Sequence, residues 1–161
     1  MKLVSLIVTF LFFNTVTDIT AIRQKYISAA TSQEVADELF KTLESVSDNS
    51  KDHTMVAYKA AALTLKAKYA RGLFNKKDLF KKGVTLLDGL LTKRPDNYEA
   101  RLLRLNIQEN APGILGYNDN IDEDKAYLIK NYNTQPADLK KFTLDFVKAS
   151  SSFTKKEKAL F

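Results

Sequence analysis

The chain has 161 residues, 45% of them hydrophobic and 27% charged, with only five Gly and three Pro, which is enough length and apolar material for one packed domain and argues against disorder. With no Cys and a single His, His53, it has no route to disulfides, thiolate metal sites, cysteine nucleophiles or histidine-rich metal centres, and no spare base for a Ser-His-Asp triad. A formal charge of +6 and a pI near 9.4 fit a lysine-rich solvated surface and also allow association with an anionic one.

The chain opens with Met1-Lys2 and the apolar run LVSLIVTFLFF from Leu3 to Phe13, closed by the polar stretch NTVTDITA. This pattern reads as a signal peptide over residues 1–21 with cleavage after Ala21. The run is well short of the ~20 apolar residues of a membrane-spanning helix, although an uncleaved N-terminal anchor is the competing reading. Residues 22–161 then form a single helical domain, expected to be exported to the periplasm or beyond and soluble.

Ile22 to Ala30 fits either a helix or an extended segment. Thr31 and Glu34 have the spacing of a capping box, followed by Val35, Leu39, Leu43 and Val46 at helical intervals. After the turn formers SDNSKD, a helix starts near Asp52, with one stripe of Met55, Tyr58, Ala62, Leu65 and Tyr69 and a second of Ala60, Leu63, Ala67 and Ala70. Two stripes call for two packed neighbours. Gly72 marks a break, and Asn75 with Asp78 is the expected cap of the next helix. In that helix Leu79, Phe80, Gly83, Val84, Leu86, Leu87, Leu90 and Leu91 cover more than the ~100° arc of a surface helix, so it is expected at the centre of the core. Pro95 ends it, and Asp96 with Glu99 is the expected cap for a helix from Tyr98 to about Asn110. Beyond Pro112, Gly113 and Gly116, Asn120 and Glu123 are the expected cap of a further helix, Thr134 and Pro136 open another, and Thr154 with Glu157 caps a last short one. No alternating apolar run is bounded by hairpin turns. The expected fold is all-α: six to seven helices in antiparallel hairpins, forming a compact bundle or a short solenoid.

Within this order, Ala70 to Asn97 resembles a tetratricopeptide unit, with Phe80, Gly83, Leu87, Leu90 and Pro95 at that repeat's aromatic, small, apolar and terminating positions. It departs in having Gly83 and Leu90 where the repeat has Ala, and the pattern does not recur at 34 residues. The leader, the capped helices and the run RLLRLNIQENAPGILGY also resemble small exported helical proteins of Bacteroidota-type bacteria. That resemblance implies export and an α-only fold, and carries over no catalytic residue.

No catalytic, cofactor or phosphate-loop motif is present. Asn118, Asn120 and Asp122 alternate like calcium ligands, but an EF-hand would need a turn Gly at Glu123 and a closing Glu at Ile129; acids at a helix start account for the cluster. Residues 59–104 carry twelve Lys or Arg against four acids, a segment suited to anionic lipid or polysaccharide.

The helix from Tyr98 is the most informative. At 100° per residue, Arg101, Arg104 and Gln108 form a polar arc expected to face solvent. Glu99, Asn106 and Asn110 then point inward, with Glu109 beside Tyr98. Buried amides and carboxylates need partners, so these groups either brace the loop from Pro112 to Tyr117 or line a small polar pocket. The candidate binding residues are therefore Glu99, Asn106, Glu109, Asn110 and Tyr117. The expected function is a non-enzymatic helical scaffold or binding module of the cell envelope with a protein or peptide partner. The alternatives are a hydrolase using Glu109 as acid or base and association with anionic lipid or polysaccharide through the basic segment. Nucleic acid is not an expected partner of an exported chain. Membrane contact is expected only through the leader or weak electrostatics, and neither a cofactor nor a metal is expected.

Overall fold

The computed structural model describes residues 18–161; the apolar leader, Leu3 to Phe13, lies outside them. The described residues form eight α-helices: α1 (Ile19–Ala29), α2 (Gln33–Leu43), α3 (His53–Tyr69), α4 (Leu73–Lys93), α5 (Tyr98–Asn110), α6 (Ile121–Asn131), α7 (Ala137–Ala149) and α8 (Lys155–Lys158). Single 3-10 turns occupy Gly113–Leu115 and Tyr132–Thr134. The fold is all-α, with no strand among the described residues. The segment after Ala21 is helical, and α1 begins at Ile19 with the Asp18 side chain accepting from Thr20 N. The cleavage point expected after Ala21 thus falls within the first turn of α1.

Helix starts follow local chemistry, with four shifts from expectation, one of them at α6, where the expected cap Asn120 makes no side-chain cap bond and its Oδ1 accepts from Gln108 instead. Asp52 caps α3 by accepting from Met55 N at 3.1 Å, Pro136 precedes α7, and Thr154 with Glu157 forms a true capping box on α8. At α2, Ser32 rather than Thr31 is the cap, because its backbone is extended and its hydroxyl accepts from Val35 N, while Thr31 turns back to the Ser28 carbonyl. At α5, Asn97 replaces Asp96 by accepting from Ala100 N at 2.9 Å, and Asp96 pairs with Arg94 instead. At α4, Gly72 takes the left-handed backbone (φ +79°) that turns the chain directly into the helix, so Asn75 lies inside the first turns rather than at the cap.

The hairpins stack in chain order. α3 packs against α2, α4 and α5, and α5 packs against α3, α4 and α6. This meets the requirement set by the two stripes of α3, whose Met55 to Tyr58 and Ala60 to Ala62 are all buried. The α3–α4 approach is close. A methyl group built on Gly83 would sit 2.7 Å from the Ala60 carbonyl oxygen and 2.8 Å from Thr64 Cγ2, so a glycine is what that crossing requires. The central helices are α3 and α5; ten of the thirteen residues of α5 are buried. The expectation that α4 would be central is corrected: every residue from Arg71 to Asp78 is exposed, and only Gly83, Leu87, Leu90 and Leu91 are fully covered. α7 joins the same core through Leu139, Phe142 and Val147, with Phe153 beyond it.

Candidate functional site

α5 places its polar side chains in three groups, each facing a different part of the molecule. At its start, Glu99 is buried and its carboxylate accepts from Arg23 Nε (2.7 Å), Arg23 Nη2 (2.8 Å) and the Tyr58 hydroxyl (2.6 Å). Arg23 also donates to Asp138 at 2.6 Å. One carboxylate thereby links α1, α3 and α5, and the guanidinium extends the network to α7. Such bidentate, charge-assisted bonds are the form in which buried charge is tolerated. The hydrogen bond to Glu99 raises the Arg23 pKa against the opposing effect of burial. Burial first, and then the Glu99 charge, push the Tyr58 phenol well above its ordinary value, and the Arg23 bond lowers Asp138.

The second group overturns an expectation. Arg101, Arg104 and Gln108, read as a solvent-facing arc, are all buried. Arg104 grips Asp124 through Nε and Nη2, both at 2.7 Å, and Arg101 reaches Asp124 and Glu123 at 2.8 Å each. Arg101 also donates to the Pro95 carbonyl and lies 4.5 Å from the Tyr127 ring centroid. Gln108 donates to Asn120. The reason is the position of α6: Asp124 has an exposure of 0% and sits on the same stripe as Ile121 and Leu128. The helix that covers α5 therefore brings a carboxylate with it. The same contact draws in Glu123, whose pKa is lowered chiefly by its bond from Arg101.

At its end, α5 presents Asn106, Glu109 and Asn110. Asn106 accepts from the Tyr26 hydroxyl of α1 at 2.7 Å, and Asn110 donates to the Asn106 carbonyl of its own helix. Glu109 accepts from the hydroxyls of Ser150 and Ser152, in the α7–α8 connection. Asn106 and Glu109 brace α1 and the α7–α8 connection rather than the loop that follows α5, whereas Asn110, expected to point inward, is exposed and bonds only its own helix. That loop is held elsewhere: Tyr117 donates to Asp88 of α4 at 2.9 Å and stacks edge-on against Phe80 at 5.8 Å. Burial, then the Asp88 charge, raise the Tyr117 phenol pKa. Glu99 likewise does not cap its own helix.

The five candidate residues do not converge on one cavity. Glu109 and Tyr117 border a hollow of about 260 Å³ with Gln108, Pro112 and Ser152. Glu99 borders a different, larger cleft of about 710 Å³, rimmed by Asp18, Asp52, Asp96 and Asp138. Asn106 and Asn110 are not among the residues bordering either. The larger cleft is where α1, α3, α5 and α7 begin, so these four helices run from a common pole. Arg23, Tyr58, Asp124 and Asp138 escaped the sequence reading. Asp124 was detectable, because it interrupts an apolar stripe at the 3 and 4 spacing; Arg23, set between Ile22 and Tyr26, gave a weaker version of the same signal.

The chain matches no family model, no curated protein and no solved structure to which it was compared.

Proposed function

We propose that the protein is an exported, non-enzymatic helical scaffold or binding module of the cell envelope. The observation that carries this reading is the use made of the inward polar groups of α5. Glu99, Arg101, Arg104, Asn106, Gln108 and Glu109 are each hydrogen-bonded to a group on another element. They act as latches between hairpins, and latches of this kind make a stiff body on which a partner surface can be displayed. The hydrolase alternative loses support because the Glu109 carboxylate already receives two hydroxyls. Export rests on the leader in the sequence.

The cleft at the common start of α1, α3, α5 and α7 is the surface we assign to the partner. Its rim of Asp18, Asp52, Asp96 and Asp138 suits a basic or amide-rich peptide segment. The test is affinity capture from envelope extract with the wild-type protein and with Asp96→Lys, an exposed change at that rim. A partner held reproducibly by the first and weakly by the second supports the proposal. A folded protein that captures nothing in either form counts against it.

A further inference from the structure

The opposite pole carries a feature unrelated to the cleft. Leu73 and Phe74, adjacent residues that open α4, are 78% and 90% exposed. Geometry explains why nothing covers them. At 1.5 Å per residue the 21 residues of α4 span about 31 Å, whereas the 13 of α5 span about 20 Å and the 11 of α2 about 16 Å. α4 ends where α5 begins, with only Arg94 to Asn97 between them. The excess over α5 therefore emerges at the start of α4, and the α3–α4 turn with the first turns of α4 forms a finger whose residues from Arg71 to Asp78 are all exposed. Its tip is fixed to the body by Lys68 and Tyr69, which donate to the carbonyls of Ala30 and Ala29, and by Lys76, which donates to the Lys68 carbonyl.

Charge distinguishes this finger from an incidental apolar tip. Residues 66–82 hold seven Lys or Arg and a single acid, Asp78. Asp78 pairs with Lys82 and Lys66 pairs with Asp37, while Arg71, Lys77 and Lys81 have no carboxylate partner among the described residues. Of the acids at the same pole, Asp37 and Glu38 of α2 pair with Lys66 and Lys25, and Asp122 and Glu123 of α6 pair with Lys125 and Arg101. Two bulky apolar side chains exposed at the start of α4, with the exposed Arg71, Lys76 and Lys77 within three residues of them, match a bilayer interface: the apolar pair enters the acyl boundary and the cations stay at the headgroups. Among the described residues no helix is long and apolar enough to cross a membrane.

We propose that the α3–α4 finger docks on anionic phospholipid bilayers, with Leu73 and Phe74 inserting and Arg71, Lys76, Lys77 and Lys81 binding the headgroups. This assignment is independent of the acidic cleft, which lies at the other pole.

The test uses residues 18–161, which contain all eight helices and the whole described core, so that the leader does not itself bind lipid. Co-sedimentation is measured with vesicles of phosphatidylcholine alone and of phosphatidylcholine mixed equally with phosphatidylglycerol. The wild-type protein should partition onto the anionic vesicles at least about ten-fold better than onto the neutral ones, and less so as salt is raised. Leu73→Ser with Phe74→Ser should lower that partition at least about ten-fold, and Lys77→Glu with Lys81→Glu, which leaves the Lys76 anchor intact, should remove most of the preference for anionic lipid. Because the chain has no Trp, Phe74→Trp supplies a single reporter whose emission should move to shorter wavelength only when anionic vesicles are added. Equal partition of wild-type and Leu73→Ser/Phe74→Ser proteins would overturn the proposal. So would an emission shift that appears without lipid and grows with protein concentration, since the tip would then be covered by a second copy.

Discussion

α4 and α5 are consecutive helices whose burial runs opposite to their compositions. α4 contains six leucines, counting from Leu73, and two phenylalanines, yet its first two turns stand in solvent. α5 contains two arginines, two glutamates and a glutamine, yet all of these except Glu109 are buried. Burial here depends on what the neighbouring helix brings and how far it reaches. α6 brings Asp124 to the arginines, and α1 brings Arg23 to Glu99. No neighbour covers Leu73 and Phe74.

The sharpest way to break this contrast is to remove a latch. Glu99→Ala leaves Arg23 and Tyr58 buried without their acceptor and should cost roughly 3–5 kcal/mol in chemical denaturation; a loss below about 1 kcal/mol, the range of surface ion pairs, would mean the network is solvated. Next comes Gly83→Ala. Alanine is the better helix former by about 1 kcal/mol, but its methyl would meet the Ala60 carbonyl at 2.7 Å, and overpacking of this kind costs roughly 1–3 kcal/mol. A stabilised variant would show that α3 and α4 cross more loosely than described.

Alkali probes the same interior. Burial is the first cause of the raised phenol pKa values of Tyr26, Tyr58 and Tyr117, and it pushes Tyr98 up to about 12. A group whose folded-state pKa is raised contributes stability in full below its unfolded value, here 10.0, and loses it as pH rises toward the folded value. Stability should therefore decline above pH 10, and absorbance titration should show these four ionising later than a free phenol or together with unfolding. Complete titration of all seven tyrosines near 10 in a folded protein would contradict the burial described. The smallest effect belongs to the finger: Leu73→Ser with Phe74→Ser should change stability by no more than about 0.5 kcal/mol, as for other exposed positions.

The legible part of this fold was the part decided locally. Asp52, Pro136 and the Thr154–Glu157 box act within a few residues of themselves, and the double stripe of α3 announces two neighbours without saying which. Ser32 and Asn97 were missed because each competes with an adjacent capping residue, Thr31 or Asp96, and the backbone of the turn decides between them. The Arg101–Arg104 arc was misread because its partner lies about twenty residues away on another helix, and a helical wheel holds no information about that helix. Of the candidate site, the inward direction of Glu99 and Asn106 was readable. Their partners, Arg23 on α1 with Tyr58 on α3 and Tyr26 on α1, were not, since hydrogen bonds across 41 to 80 residues leave no local pattern.

The claim that a matched partner makes charge burial possible in this molecule is tested most directly at Arg104 and Asp124. The measurement is a double-mutant cycle of Arg104→Met and Asp124→Leu, followed by chemical denaturation. Each single change should be costly, about 3–5 kcal/mol, because it strands a buried charge, and the double variant should recover part of that loss, the remainder being the Asp124 bond that Arg101 also gives up. Additive effects, with a coupling below about 0.5 kcal/mol, would place the pair in water and contradict the account.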